Sequence, residues 1–278
     1  MNNNKYSPVW KIVGYSIVVF FAIFTIAPLI WLFYSSFKPH HDIVRNIFSL
    51  PTSFYLENFT RVWEVGNMAI YSLNSLFYST SATVLTTLFA MAGGYALSKF
   101  GFKISKLIYG FFSIGLLITV HSVLVPLFII ETKIGIDDTR LGVLIPYIAF
   151  GLPFLLFLAT AYIRDLPDAV EESAIIDGAN YFQVFFKIIL PMSIPVVTTM
   201  LIFSFLQNWN EFALMFVLTS DKAVRSLPVG INSFAGGRSR DFGLQFASLV
   251  IGTFPMIVMY IFFNKQLSKG FSSGAVKE

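Results

Sequence analysis

The sequence predicts an all-α integral membrane protein with six transmembrane helices in a single domain over residues 1–278. The first observation is the composition: 56% of the residues are hydrophobic and 12% are charged, whereas soluble domains carry about 25% charged residues. The second is a series of long apolar segments, each able to cross about 30 Å of hydrocarbon as a helix. The third is that the polar stretches between them are too short to form a separate core.

The six predicted spans share an almost complete absence of charge. Each is longer than about 20 residues, and a helix of that length, rising about 1.5 Å per residue, crosses the bilayer. Only two ionisable side chains fall inside the spans, His121 in the third and Glu211 in the fifth. In chain order the spans are 12–34, 71–98, 107–130, 141–163, 194–219 and 242–264.

Six spans place both termini on one side of the membrane. The total of Lys and Arg in the loops is nearly equal on the two sides, so it does not decide the orientation. The short loop "KFGFKISK" at 99–106 holds three lysines and no acid, and short Lys-rich loops face the cytoplasm. The sequence therefore predicts cytoplasmic termini and a cytoplasmic loop over residues 164–191.

The 164–191 loop contains the stretch "DAVEESAIIDGANYFQVFFKIILP". Its acidic start suits a helix N-terminus, and Gly178 can take the positive φ that ends a helix. A second short helix over Tyr181–Leu190 is expected to end at Pro191. Two interpretations stay open, a docking surface for another protein and a pair of helices lying on the membrane surface. The predicted apolar face of the second helix consists of Phe182, Phe185, Phe186 and Ile189.

The residues do not support an intramembrane enzyme, and we predict a non-catalytic chain without a metal site or cofactor. Neighbours on a helix point about 100° apart, so Glu171 and Glu172 do not form a paired-carboxylate centre. The adjacent His40 and His41 are weak metal ligands for the same reason, and a loop role is expected. His121 is isolated in its span, where packing or a helix-to-helix hydrogen bond is expected. There are no cysteines.

A secondary transporter is an alternative from a different class. Such proteins place ionisable relays at membrane depth, and Glu211 is the one acid within a predicted span. A single acid is thin support for a relay. The phosphate-binding pattern G-x-x-x-x-G-K-[ST] does not occur in the sequence, so any use of ATP requires another chain.

The 164–191 loop resembles the cytoplasmic motif of permease subunits of ABC importers. That motif is an E-A-A triplet, three residues, G, nine residues, I, one residue and L-P. Here it reads Glu172-Ser173-Ala174, Gly178, Ile188 and Leu190-Pro191, with Ser173 as the one departure. The resemblance covers nearly the whole chain and is strongest to the carbohydrate branch, including six-span subunits similar to the second permease of maltose transporters. The further matching segments are "SSFKP", "LNSLFYS", "GGYALSKFGF", "IPYIAFGLPF" and "WNEF".

The resemblance implies a type I ABC importer permease fold and the import of a sugar or oligosaccharide across the bacterial cytoplasmic membrane. The implied partners are a second permease, two copies of a cytoplasmic ABC ATPase that hydrolyses the ATP, and an extracytoplasmic solute-binding protein. The 164–191 loop, hereafter the coupling loop, would dock on the ATPase. A permease for a non-sugar solute is the alternative within the class. The expected docking residues are Glu171, Glu172, Ser173, Ala174, Asp177, Gly178, Ala179, Phe182, Phe185, Ile188, Leu190 and Pro191.

The substrate path is predicted from the segment "NWNEF". Asn208, Trp209, Asn210 and Glu211 combine an aromatic face with amide and carboxyl groups, which are the groups that usually hold sugars. The alternative for Trp209 is anchoring at the membrane interface, where Trp is enriched. The loop at 232–242 between the last two spans is a further candidate, as a mobile tip that meets the binding protein.

Overall fold

The computed structural model describes residues 8–235 and 241–275, with side chains described over 10–235 and 241–263. Within these ranges all regular structure is helical, which confirms the all-α prediction. A π-helical turn, Phe185–Ile189, joins α9 to α10. The helices are α1 Pro8–Ser35, α2 His40–Arg45, α3 Glu57–Val65, α4 Met68–Lys99, α5 Ser105–Gly115, α6 Val120–Ile134, α7 Arg140–Arg164, α8 Asp168–Ile176, α9 Tyr181–Val184, α10 Leu190–Met192, α11 Ile194–Trp209, α12 Ala213–Leu218, α13 Leu227–Ala235 and α14 Phe242–Ala275.

Among the described residues, four single helices are long and apolar enough to cross a membrane: α1, α4, α7 and α14. Two further candidates are bent pairs. In the first, α5 and α6 meet at 100°, and in the second the helical stretch Tyr181–Met192 meets α11 at 79°. When each bent pair counts as one, the described residues hold up to six candidate spans. The second pair covers 181–209 and begins inside the predicted 164–191 loop, so it does not coincide with the predicted span 194–219, and the bounds of the spans stay a prediction.

The third and fifth predicted spans are interrupted by local backbone geometry. The third breaks between α5 and α6, where Thr119 is extended with φ −80° and ψ 142°. A bend at Ser193 lies directly before the predicted fifth span, ahead of Pro195, which lacks the N–H needed to continue the preceding helix. The fifth span itself breaks after Trp209, before α12 begins at Ala213. Mean hydropathy over a whole span does not locate such breaks.

The described part of the chain divides into two compact units. The first contains residues 8–67, 231–235 and 241–254, and the second contains residues 68–230 and 255–275. A single domain over the whole chain stays a prediction. In the first unit, none of the most apolar part of α1 is buried inside the chain. A helix of such hydropathy requires lipid or another chain around it.

Lys38 organises the segment after α1 in the first unit. Its side chain is buried, and its Nζ donates to the carbonyl oxygen of Asn46 at 2.8 Å and to the carbonyl oxygen of Ser49 at 3.0 Å. Asn58 donates to the carbonyl oxygens of Ser36 and Lys38 at 2.8 and 2.9 Å. Burial lowers the pKa of Lys38, and the charge of Asp42 opposes part of that shift.

The second unit is built around α4, α7 and α11. The core residues of these helices pack with residues of the coupling loop. Gly94 of α4 allows close approach to α7, because a Cβ there would lie 2.8 Å from the Cβ of Ala159. Small residues at such crossings let backbones pack closely in membranes. The buried cluster consists of Ala90, Met91, Tyr95, Leu155, Leu156, Ala159, Ile163, Ala174, Val184, Phe185, Ile189, Val196 and Met200.

Candidate functional site

The coupling loop contains a glycine elbow whose first arm is α8. Gly178 has φ +88°, a conformation that L side chains rarely adopt. The N–H of Gly178 donates to the carbonyl oxygen of Ile175 at 3.0 Å, and the N–H of Ala179 donates to that of Ala174 at 3.0 Å. This pair of bonds is a Schellman motif, which satisfies the last carbonyl groups of a helix. The elbow predicted at Gly178 is present.

The second arm of the elbow begins with a capping box. The side chain of Asn180 accepts from the N–H of Gln183 at 2.9 Å, and the side chain of Gln183 accepts from the N–H of Asn180 at 2.9 Å. Each residue thus satisfies one free donor at the start of α9. Sequence reasoning missed this box, although the Asn-x-x-Gln spacing was its signal.

Two predictions about the second arm are wrong. The helix does not end at Pro191: after the π-helical turn it continues through Pro191 to Met192 and bends at Ser193. Proline is tolerated in a first helical turn, where its missing N–H has no partner to lose. The second helix also lacks the single apolar face that was predicted, because its apolar side chains point in two directions. Phe185 and Ile189 are buried in the chain, whereas Phe182 and Phe186 are exposed.

The predicted docking residues divide into an outward and an inward group. Glu172 is exposed; Ile176, one turn further along α8, and Phe182 in α9 are 84% and 78% exposed. The exposed side chains of the elbow therefore include one carboxylate and two large apolar groups. The outward group is Glu172, Ser173, Asp177, Gly178, Phe182 and Pro191. Ala179, Ile188 and Leu190 are half-buried, and Glu171, Ala174 and Phe185 are buried.

Glu171 is held inside the chain by α4. Its Oε1 accepts a hydrogen bond of 2.7 Å from the hydroxyl group of Tyr95, and Glu171 is only 9% exposed. One turn further along α4, Lys99 donates to the carbonyl oxygen of Leu166 at 2.8 Å and pairs with Asp168. These three contacts fix the start of α8 against the C-terminal end of α4. Sequence reasoning missed Tyr95 and Lys99, whose four-residue spacing places them on one helix face.

The predicted path residues lie around the end of α11 and do not converge on one point. Asn208 is buried, and its amide group donates to the hydroxyl groups of Ser204 at 3.3 Å and Thr83 at 3.4 Å. Trp209 is buried and stacks on Phe205 with ring centroids 5.8 Å apart. Asn210 is exposed. Within the 232–242 loop, residues 236–240 lie outside the described part of the chain.

Glu211 lies two residues before the short helix α12 and bonds to its first turn. Its Oε1 accepts from the N–H of Leu214 at 2.9 Å, and its Oε2 accepts from the N–H of Met215 at 3.2 Å. A carboxylate in this position satisfies free donors and interacts favourably with the helix dipole. The hydroxyl group of Tyr147 donates to Oε2 at 3.3 Å. These bonds give the acid a local structural role, whether or not it meets a solute.

The histidines are not arranged as a metal site. His40 uses Nδ1 to accept from the N–H of Phe242 at 3.1 Å, and the two rings stack with centroids 5.5 Å apart. His41 pairs with the neighbouring Asp42. Over residues 10–235 and 241–263, no group of three or more His, Cys, Asp or Glu is placed to hold a metal ion.

Comparisons with known proteins agree with this architecture. The family model described as the binding-protein-dependent transport system inner membrane component matches residues 87–268. The diacetylchitobiose uptake system permease protein NgcG of Streptomyces coelicolor is 33% identical, over 95% of this chain and 88% of its own length. The trehalose transport system permease protein SugB of Mycobacterium tuberculosis is 31% identical, over 91% of this chain and 93% of its own.

A solved structure has the same fold. It is the crystal structure of a bacterial ABC transporter involved in the import of the acidic polysaccharide alginate, with a TM-score of 0.82 and 22% identity. The match covers 94% of this chain and 98% of that chain. The chain thus has the type I permease fold. This chain belongs to the binding-protein-dependent transport system inner membrane component family and is a multi-pass membrane permease subunit.

Proposed function

We propose that the chain is the permease subunit of an ATP-driven importer that moves a sugar or oligosaccharide across the bacterial cytoplasmic membrane. Both termini and the coupling loop face the cytoplasm, as the lysines of the 99–106 loop favour. ATP is hydrolysed by two copies of a separate ABC ATPase. A second permease completes the path, and a solute-binding protein delivers the solute from outside.

The single observation that carries the proposal is the outward face of the coupling loop. Glu172 occupies the glutamate position of the motif and is exposed, and so are the side chains of Ile176 and Phe182 in the same loop. Large apolar side chains in water are costly, and a patch of them next to a charge is typical of a docking surface. An exposed ion pair contributes only about 0–1 kcal/mol. Glu172 therefore sets the register on the ATPase, while the apolar side chains provide contact area.

The proposal of a sugar substrate rests on the names of the relatives and on the side chains near the end of α11. Diacetylchitobiose and trehalose are the solutes named for two of them. Asn208 and Trp209 offer an amide group and an aromatic ring of the kind that binds sugars. A rearrangement that exchanges the hydroxyl partners of Asn208 for those of a solute would place this amide on the path.

Reconstitution of the complex tests the function as a whole. The permease is purified from its native membrane with the partners that stay bound, and solute uptake into proteoliposomes is measured with ATP or with an ion gradient. We expect a second permease and an ATPase in the preparation, and uptake only with ATP. Uptake by the single chain driven by a proton or sodium gradient would contradict the proposal and favour the secondary transporter.

Two variants test the path. Trp209→Ala should raise the solute concentration needed for half-maximal uptake, with Trp63→Ala in α3 as the matched control. The control removes an indole that is 45% exposed and far along the chain. If both variants lose uptake only in proportion to their amount in the membrane, the aromatic ring of Trp209 anchors the helix and does not bind solute.

A further inference from the structure

A cavity of about 640 Å³ in the second unit is lined by residues of α5, α6 and α7 and of the links between them. Its volume is within the range of about 300–1,000 Å³ that is typical of ligand sites. The lining includes Pro126, Pro146 and Pro153, which have no N–H group to donate. Among the described residues that line the cavity, Glu131 has the one polar side chain. The cavity therefore joins a large apolar volume to a single carboxyl group.

Glu131 lies inside the chain without a hydrogen-bond partner for its carboxyl group. The residue is only 2% exposed, and its Oε2 is buried and receives no hydrogen bond from the described part of the chain. An added Cβ on Gly142 would lie 3.0 Å from this oxygen, so the carboxyl group rests against the first turn of α7. The N–H of Gly142 already donates to the hydroxyl group of Thr139 at 3.1 Å. A buried carboxyl oxygen without a donor costs free energy, which indicates that a donor comes from outside the chain.

The position of Glu131 in its own helix does not explain the acid. It lies in the last turn of α6, which ends at Ile134 before Gly135 takes a φ of +72°. The C-terminal end of a helix has partial negative charge and favours cations over carboxylates. No Lys, Arg or His among the described residues forms an ion pair with Glu131. Neither a helix cap nor an ion pair within the chain therefore accounts for a carboxyl group here.

The cavity reaches the side of the chain that faces the bilayer. Ile130, Ile134 and Ile145 line it and are 55%, 62% and 53% exposed. The pair of α5 and α6 is a candidate span, and so is α7, so a lipid can enter the cavity sideways. From Gly142, which touches the carboxyl group, the lining extends along α7 to Pro153, a distance of about 16 Å at about 1.5 Å per residue. The polar end thus lies near the membrane surface, and the apolar part lies at greater depth.

We propose that this cavity binds a membrane phospholipid whose headgroup ends in a primary ammonium group, with Glu131 as the residue that recognises the headgroup. The ammonium group donates to the carboxylate and supplies the donor that Oε2 lacks, while one acyl chain occupies the apolar part. An acyl chain gains little by leaving the bilayer, because lipid tails are as apolar as the lining. The selectivity for this lipid therefore comes from the charge-assisted hydrogen bond, which is strong where water is excluded.

The test uses the transporter complex, purified from its native membrane and placed in lipid nanodiscs. The probe is phosphatidylethanolamine with a photoreactive diazirine group on one acyl chain. After irradiation, the labelled peptides are identified by mass spectrometry. Competition by unlabelled phosphatidylethanolamine is compared with competition by phosphatidylglycerol, which has no ammonium group. None of the lining residues belongs to the coupling loop or to the predicted path, and the assay needs neither ATP nor solute, so a failure of the proposed import function does not affect its result.

Two variants change the cavity in different ways. Glu131→Gln removes the charge and keeps the shape of the side chain, and its matched control is Glu64→Gln on the exposed surface of α3. Ala149→Phe fills part of the cavity, because Ala149 lines it. Its matched control is Ala161→Phe, at an exposed position of the same helix that does not line the cavity.

In the parent protein and both controls we expect labelled peptides from α5, α6 and α7. Phosphatidylethanolamine should displace the probe at a concentration at least tenfold lower than phosphatidylglycerol does, as expected for a hydrogen bond to a buried charged group. In Glu131→Gln this preference should disappear, so that the two lipids compete equally. In Ala149→Phe the labelling of these helices should fall at least tenfold.

Three results would overturn the proposal. Equal competition by the two lipids in the parent protein would show that this face meets bulk lipid without selection. The absence of label from α5, α6 and α7 would show that something else fills the cavity, such as a helix of the second permease. Unchanged displaceable labelling in Ala149→Phe would show that the lipid binds elsewhere, and this variant decides alone if Glu131→Gln fails to assemble.

Discussion

Substitution of Gly178 measures how strongly coupling depends on the elbow. Gly178 has φ +88°, and an added Cβ would meet no atom within 4 Å. Alanine therefore introduces backbone strain without a clash, at a cost of about 1–2 kcal/mol. Asparagine tolerates positive φ better than most residues. Proline fixes φ near about −65° and removes the N–H that bonds to the carbonyl oxygen of Ile175 at 3.0 Å.

These costs predict a graded loss of transport. A strain of about 1–2 kcal/mol lowers the population of the observed elbow about 5- to 30-fold relative to competing conformations. We expect uptake by Gly178→Asn to remain near that of the parent and uptake by Gly178→Ala to fall about fivefold or more. Gly178→Pro should hydrolyse ATP without importing solute, because the second arm can no longer follow the first.

The assay measures the ratio of solute imported to ATP hydrolysed in proteoliposomes, with the amount of complex fixed. Gly135→Ala is the matched control. Gly135 also has positive φ, at +72°, and open space around its Cβ position, but it lies between α6 and α7. Equal losses in Gly178→Ala and Gly135→Ala would show that general strain, and not the elbow, limits transport. Normal coupling in Gly178→Pro would refute the reasoning outright.

Three further substitutions probe other contacts. Glu172→Lys should abolish uptake and ATPase recovery in pull-downs without changing membrane levels, whereas Glu64→Lys, exposed on α3, should change neither. Gly94→Val should destabilise the chain by about 1–3 kcal/mol, because an added Cβ would lie 2.8 Å from the side chain of Ala159 in α7. The control is Gly110→Val, where an added Cβ meets no atom within 4 Å. Equal thermal stability of the two variants would contradict the clash. Glu211→Ala should cost about 1 kcal/mol by removing the cap of α12, and unchanged thermal unfolding would deny the capping role.

The sequence predicts those features of the fold that depend on local composition. The length of the apolar segments is enough to indicate the membrane helices. One glycine between an acidic and an aromatic stretch is enough to predict the elbow at Gly178. The break near Thr119 is not predictable in this way, because residues 116–122 contain no glycine or proline to mark it. The passage of the second arm through Pro191 depends on the π-helical turn before it, which no residue type specifies.

The candidate site was predictable as a segment but not side chain by side chain. Glu171 and Glu172 are neighbours with the same chemistry, and the motif places only Glu172 in the glutamate position. Their different environments come from α4, whose Tyr95 is 76 residues away in the sequence from its partner Glu171. The contact between Tyr95 and Glu171 depends on how α4 packs on the coupling loop. The pattern of residues within the loop alone does not predict it.

The elbow keeps its hinge and its contact surface on different residues. The bend is maintained by Gly178, Ala179, Asn180 and Gln183, all through bonds to residues at most five positions away. The outward side chains of Ile176 and Phe182 have no part in those bonds. If the ATPase docks there as proposed, substitutions on that face would alter which ATPase is recruited while the bonds of the bend stay intact. To pair this permease with a different ATPase, one would randomise the outward positions of the elbow and leave the residues that form the bend unchanged.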